Sequence, residues 1–162
     1  MQKIRTRVLA LAAAAGLTAI DQILKQLVSA RMELQQTQAL FPGLQLRYTV
    51  NTGISFSMLG DSKWAMWVVT ALSAAVMLAG VIAILMGKLK QTPMLIAAAC
   101  IIAGGVGNLI DRVAHGFVVD YLEFTFVRFA VFNFADICIT CGVIFLAGWM
   151  IWDEVQQKRK AS

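Results

Sequence analysis

The chain predicts a mainly α membrane protein: four transmembrane helices with a small extracytoplasmic β-rich region. Three observations carry that prediction. Of 162 residues, 59% are hydrophobic and 14% are charged, too few polar residues to clothe a soluble globule, and the mean hydropathy is +0.74. Four apolar stretches, 8–28, 64–86, 93–113 and 135–152, approach the roughly 20 residues that cross a bilayer. Finally, the basic residues fall into three groups: Lys3, Arg5 and Arg7 before the first span, Lys88 and Lys90 between the second and third, and Lys158, Arg159 and Lys160 at the end. Four spans put all three groups on one side, which the positive-inside rule makes cytoplasmic. Both termini are then inside, segments 29–63 and 114–134 face outward, and residues 1–162 make a single membrane domain. The net charge of +5 is distributed by membrane side rather than gathered in one patch, so it does not point to nucleic acid.

The first span has the basic start and apolar run of a signal peptide. Its apolar pattern continues past Asp21 through Ile23, Leu24, Leu27 and Val28, which favours a retained helix. Asp21 and Lys25 stand four residues apart on one face, a spacing that allows an ion pair. They are expected to anchor the helix or orient a substrate.

Segment 29–63 is longer than a turn requires and should hold structure or function. Pro42-Gly43 marks a turn, and Leu44, Leu46, Tyr48 and Val50 alternate with Gln45, Arg47 and Thr49, the period of a strand. Trp64 and Trp67 open the second span at the outer interface, while Trp149 and Trp152 close the fourth at the inner one, as an aromatic belt does. The segment 87–92 reads as plain connection.

The third span ends in Gly104-Gly105-Val106-Gly107-Asn108-Leu109-Ile110-Asp111-Arg112. Close helix packing accounts for the glycines and a helix C-terminus suits Arg112. Neither accounts for Asn108 and Asp111, three residues apart on one face. A neutralised, hydrogen-bonded cluster is the least costly way to keep such groups at a membrane edge.

In the second outward segment, Leu122, Phe124 and Phe126 alternate with Glu123, Thr125 and Val127. Two readings stay open for it: a small sheet resting on the outer leaflet, or an interfacial aromatic stretch without paired strands. His115, the one histidine, reads as an interfacial loop residue and leaves no multi-histidine zinc site.

The fourth span opens with Phe132-Asn133-Phe134-Ala135-Asp136, where Asn133 suits an N-cap and Asp136 the N3 position. A helix N-terminus stabilises an ionised carboxylate. Asp120 instead sits among apolar residues, where desolvation favours the protonated form. Two carboxyls of unequal acidity near one bound water are the aspartic-protease arrangement. Four carboxylates, Asp21, Asp111, Asp120 and Asp136, thus lie at or near the same face of a very apolar chain, and intramembrane acids default to function. Other chemistries compete with the dyad: a thiol site at Cys138 and Cys141, an all-carboxylate cation site, or an ion-binding carrier. The cysteines are better explained as small buried apolar residues.

Five stretches together resemble the five boxes of the lipoprotein signal peptidase (signal peptidase II) family, in order and spacing. They are Asp21 with Lys25, Asn51-Thr52-Gly53-Ile54-Ser55-Phe56-Ser57, the run from Gly104 to Arg112, Val118-Val119-Asp120, and Phe132 to Asp136. The resemblance covers nearly the whole chain. Ser55 stands where an alanine is usual and Ala103 where a glycine often opens its box, both small-for-small changes. The resemblance implies a bacterial inner-membrane aspartic endopeptidase that cuts prolipoproteins just before a diacylglyceryl-modified cysteine. It makes Asp120 and Asp136 the catalytic pair, with Asp21, Lys25, Asn51, Gly53, Phe56, Asn108, Asp111, Arg112 and Asn133 as substrate-binding or supporting residues. It further implies a monomer without cofactor or metal, an active site at the periplasmic face, and binding of the family inhibitor globomycin at the dyad.

Overall fold

A computed structural model describes residues 2–52 and 63–161. In chain order it contains α1 (Gln2–Arg31), β1 (Thr37–Phe41), β2 (Leu44–Asn51), α2 (Lys63–Leu85), α3 (Thr92–His115), β3 (Val118–Phe124) and α4 (Phe134–Ala161). The four helices are each long and apolar enough to cross a membrane. Gly53 and Phe56 lie outside the described residues.

The hub of the bundle is α3. Half of its most apolar window is buried, against 22% or less in the other three, because α1, α2 and α4 all pack on it. Its small residues make that possible. A Cβ at Gly104 would strike the Ala135 carbonyl of α4, one at Gly105 would strike Met77 of α2, and one at Gly107 would strike the Asp21 carboxylate of α1. One turn of glycines therefore serves three neighbours at van der Waals distance. Ala103 is buried in the same core with Ala10, Ala14, Met77 and Ile102. Gly116 ends α3 in the left-handed conformation at φ 78°, its N–H donating to Arg112 O at 3.1 Å, as a glycine C-cap does.

Two helices outrun their predicted spans. The first starts at Gln2 and ends at Arg31, and the fourth continues to Ala161. Past the apolar stretch, α4 is sustained by pairs one turn apart, Lys158 with Glu154 at 2.7 Å and Gln157 with Asp153 at 2.8 Å. Such pairs are worth a few tenths of a kcal/mol each, about 0.2–0.5.

The segments joining α1 to α2 and α3 to α4 form one antiparallel sheet in the order β1-β2-β3. Pro42 and Gly43, the latter at φ 97°, turn the β1–β2 hairpin. The predicted strand is β2. The strand β1 carries no such alternation and is exposed along its length; it exists because the hairpin folds it onto β2. In the second outward segment the strand starts earlier than its alternation and stops at Phe124. The physical reason is the partner: Phe124 pairs with Leu44, the first residue of β2, and Thr125 N donates to Gly43 O at 3.1 Å in the turn itself. Beyond it lies an aromatic cluster, with Phe124 between 5.1 and 6.0 Å from Phe126, Phe129 and Phe132 by ring centroids. The segment therefore supplies a strand of the small sheet, as the first reading has it, and the reading without paired strands does not hold.

Candidate functional site

Four elements converge where α3 ends and α4 begins. The register of the sheet sets Asp120 opposite Thr49 and Val118 opposite Asn51, so the end of β2 lies beside the carboxyl of Asp120. Asn51 Nδ2 donates to Asp120 Oδ2 at 3.0 Å. The other oxygen, Oδ1, accepts from Asn133 Nδ2 at 2.7 Å.

Asn133 caps α4 and at the same time reads both candidate acids. Asp136 N donates to Asn133 Oδ1 at 2.9 Å, and Asn133 N donates back to Asp136 Oδ2 at 3.1 Å. This is a reciprocal capping box, so the capping role foreseen for both residues is real. It leaves Asp136 Oδ1 free for Asn108 Nδ2, at 2.8 Å. The fully buried Asn133 amide thus bonds the Asp120 side chain while its backbone bonds that of Asp136.

Every early amide of α4 has an acceptor. Phe134 N donates to Tyr121 Oη at 3.3 Å, Ala135 N to Asp21 Oδ1 at 2.9 Å, and Asp136 N to Asn133. Asp21 therefore belongs to a foundation beneath the pair. Lys25 Nζ lies 2.9 Å from Asp21 Oδ2, 2.9 Å from Asp111 Oδ2 and 2.8 Å from Asn108 Oδ1. With exposures of 1–3% for these three charged side chains, the ammonium uses all three of its protons on protein acceptors. Asp111 Oδ2 also accepts from Val119 N at 3.1 Å, which fixes β3 to the end of α3.

Two contributors escaped the sequence reading. Gln22 Nε2 reaches Gly107 O at 3.1 Å and Asp111 Oδ1 at 3.1 Å, stitching α1 to α3; its only linear signal is adjacency to Asp21. Tyr121, next to Asp120, gives its hydroxyl to the α4 cap. Its burial pushes the phenol above its ordinary pKa, which keeps the hydroxyl neutral. The side chain of Arg112 makes no hydrogen bond or ion pair among the described residues, so it is not part of this network.

Burial pushes the Asp120 carboxyl up to about 6, and the neighbouring charge of Asp136 adds to that rise against the opposing hydrogen bonds from Asn51 and Asn133. The two candidate acids open into a groove of about 460 Å³. Asn51, Asp120 and Asp136 form its polar end. Phe129 and Phe132 wall it, and Ile137, Thr140 and Cys141 carry it along α4 into the apolar part of the bundle. An acid able to hold a proton, a carboxylate at a helix N-terminus and an apolar trough below them suit hydrolysis on a molecule that is part lipid and part polar.

Residues 13–152 match the family described as signal peptidase (SPase) II. A protein from Klebsiella aerogenes called lipoprotein signal peptidase is 42% identical over 138 residues, which is 81% of this chain and 82% of the relative. One of the same name from Symbiobacterium thermophilum is 41% identical over 128 residues, 76% of this chain and 82% of its own. Among solved structures, a bacterial membrane enzyme determined by the in meso method superposes with a TM-score of 0.76 at 25% identity, covering 87% of this chain and 91% of that one.

Proposed function

The chain belongs to the signal peptidase II family, and from that premise we propose that it is an aspartic endopeptidase which removes signal peptides from bacterial prolipoproteins by cutting just before the diacylglyceryl-modified cysteine. As a member of the family it is a peptidase of the bacterial inner membrane. The observation that carries the finer proposal is the meeting of Asp120 and Asp136 on Asn133 at the mouth of an apolar groove.

The two acids take different roles. Asp136, which accepts from Asn133 N and Asn108 Nδ2 in the first turn of α4, serves as the base. Asp120, pushed up to about 6 by burial, serves as the acid of the pair in its protonated form. Asp136 removes a proton from a water that attacks the scissile carbonyl, while Asp120 donates its proton to the carbonyl oxygen. Collapse of the tetrahedral adduct breaks the C–N bond. The proton held by Asp136 passes to the leaving amine of the lipidated cysteine and Asp120 regains its own from the adduct hydroxyl, which returns both acids to their starting states.

The acyl chains lie along Ile137, Cys141 and Phe129 and stay in the bilayer while the peptide meets water. Asn108, Asn133 and Asn51 orient the pair, and Asp21, Lys25 and Asp111 hold the ends of α1, α3 and α4 under it. Arg112, Gly53 and Phe56 keep the substrate-binding or supporting role that the family resemblance implies. The basic termini are cytoplasmic, the site faces the periplasm, the enzyme works as a monomer, and globomycin competes at the dyad.

The deciding experiment is cleavage of a diacylglyceryl-modified prolipoprotein and its unlipidated counterpart by purified protein in detergent with chelator. Wild type is expected to cut only the lipidated precursor, and folded Asp120→Asn and Asp136→Asn variants to cut neither. Retained activity in either variant removes that residue from the mechanism.

A further inference from the structure

At the end of the bundle opposite the carboxylates, the start of α1, the end of α2 and the start of α3 enclose a second cavity of about 330 Å³, lined among others by Arg7, Gly87, Lys90 and Thr92. It is remote from the dyad. Thr92 and Asn108 lie on one helix, and at 1.5 Å per residue their separation is roughly 24 Å.

The cavity is basic, and among the described residues no acid lines it. Arg7 lies across Gly87, where a Cβ would collide with the guanidinium and φ is +69°, so the glycine admits the cation. Its Nη1 donates to Leu85 O at 3.4 Å; the rest of the guanidinium fork has no bond among the described residues. Lys90 likewise has no bond there, and none of the ion pairs among the described residues involves Arg7, Lys88 or Lys90. The nearby carboxylate of Asp153 is engaged with Gln91 and Gln157. Gln91, the residue placed to cap α3, is drawn away to α4 by Trp149 Nε1 at 2.6 Å, and α3 begins with no side-chain cap. Its partial positive charge adds to that of the two cations.

The level of the cavity indicates what fills it. The apolar windows of α1, α2 and α3 begin or end at Ile4, Leu85 and Thr92, which is where headgroups lie, and Val8, Leu85 and Met86 present exposed apolar surface beside it. We propose that this cavity is a phosphate-binding site, occupied by the headgroup of an anionic glycerophospholipid of the adjoining leaflet. The phosphate takes the free side of the Arg7 fork and the ammonium of Lys90, while the acyl chains lie on the exposed apolar surface of α1 and α2. A basic pocket between helices at the membrane edge is the usual form of such a site.

The test uses the purified, delipidated full chain and native mass spectrometry with phosphatidylglycerol or phosphatidylcholine, beside thermal shifts with inorganic phosphate. Wild type is expected to retain phosphatidylglycerol over phosphatidylcholine. Lys90→Gln, which breaks no bond among the described residues, is expected to weaken that retention about tenfold, the size of one charge-assisted hydrogen bond. Lys88→Gln removes the same charge two residues away but outside the cavity, and should retain the lipid as wild type does. Equal loss in Lys88→Gln and Lys90→Gln, or equal retention of the two lipids by wild type, overturns the proposal. A thermal shift with inorganic phosphate as large as with phosphatidylglycerol, lost in Lys90→Gln, keeps the phosphate site but overturns the lipid as its occupant.

Discussion

Replacing Asp120 by Asn should abolish peptide cleavage and yet change the sign of its effect on stability with pH. The Asp120 side chain is 3% exposed, and its carboxyl is pushed from 3.8 to about 6. The folded protein therefore binds this proton more tightly than the unfolded chain. Below 3.8 the group is protonated in both states and costs nothing. Between 3.8 and 6 the unfolded chain gives up this proton while the folded state still holds it, so stability falls across that window and levels off above 6,. A shift of a little over two units corresponds to a ceiling of about 3 kcal/mol. The variant escapes that penalty. Against it stands one lost acceptor, since Asn133 Nδ2 and Asn51 Nδ2 both donate to this carboxyl and an amide can accept from only one; that costs about 1 kcal/mol. The net expectation is a variant about 1–2 kcal/mol more stable than wild type at pH 8 and about 1 kcal/mol less stable at pH 4. Unfolding of both proteins in detergent at pH 4, 6 and 8 measures the difference. A difference independent of pH, or one that moves against the variant as pH rises, refutes the assignment of a raised pKa to Asp120.

Lys25→Met removes the one cation between the buried carboxylates of Asp21 and Asp111 and should cost about 3–5 kcal/mol; a melting temperature equal to wild type would show that the cluster is not held by charge. Gly107→Ala drives a methyl into the Asp21 carboxylate that caps α4, with an expected cost of about 1–3 kcal/mol and reduced cleavage. Gly148→Ala, which meets nothing within 4 Å, should be neutral or slightly stabilising, and equal effects at the two glycines would contradict the packing argument. The pH profile of kcat/KM should fall on its alkaline side with an apparent pKa near 6 as Asp120 loses its proton,; a profile flat through pH 9 refutes that role for Asp120.

Much was determined by the chain as a linear pattern. Apolar runs of membrane length, tryptophans at their ends and basic clusters on alternate connections specify four helices, because transfer into a bilayer depends on composition over about 20 residues. The cap at Asn133 and Asp136 and the pair Asp21–Lys25 were equally legible, since both are interactions within one turn of one helix. What the tertiary structure decided lies between elements. That Lys25 serves Asp111 and Asn108 as well as Asp21, that Asp21 caps a helix more than a hundred residues away, and that Gln22 and Tyr121 belong to the foundation follow from how closely α1 and α4 approach α3. No local signal encodes those contacts. The strand β1 has no pattern of its own and is made by its partner, and β3 stops at Phe124 because β2 begins at Leu44. The candidate site residues were visible one by one; that Asn133 joins Asp120 to Asp136 is a fact of three dimensions, because a hydrogen bond depends on where two atoms meet and not on how far apart they stand in the chain.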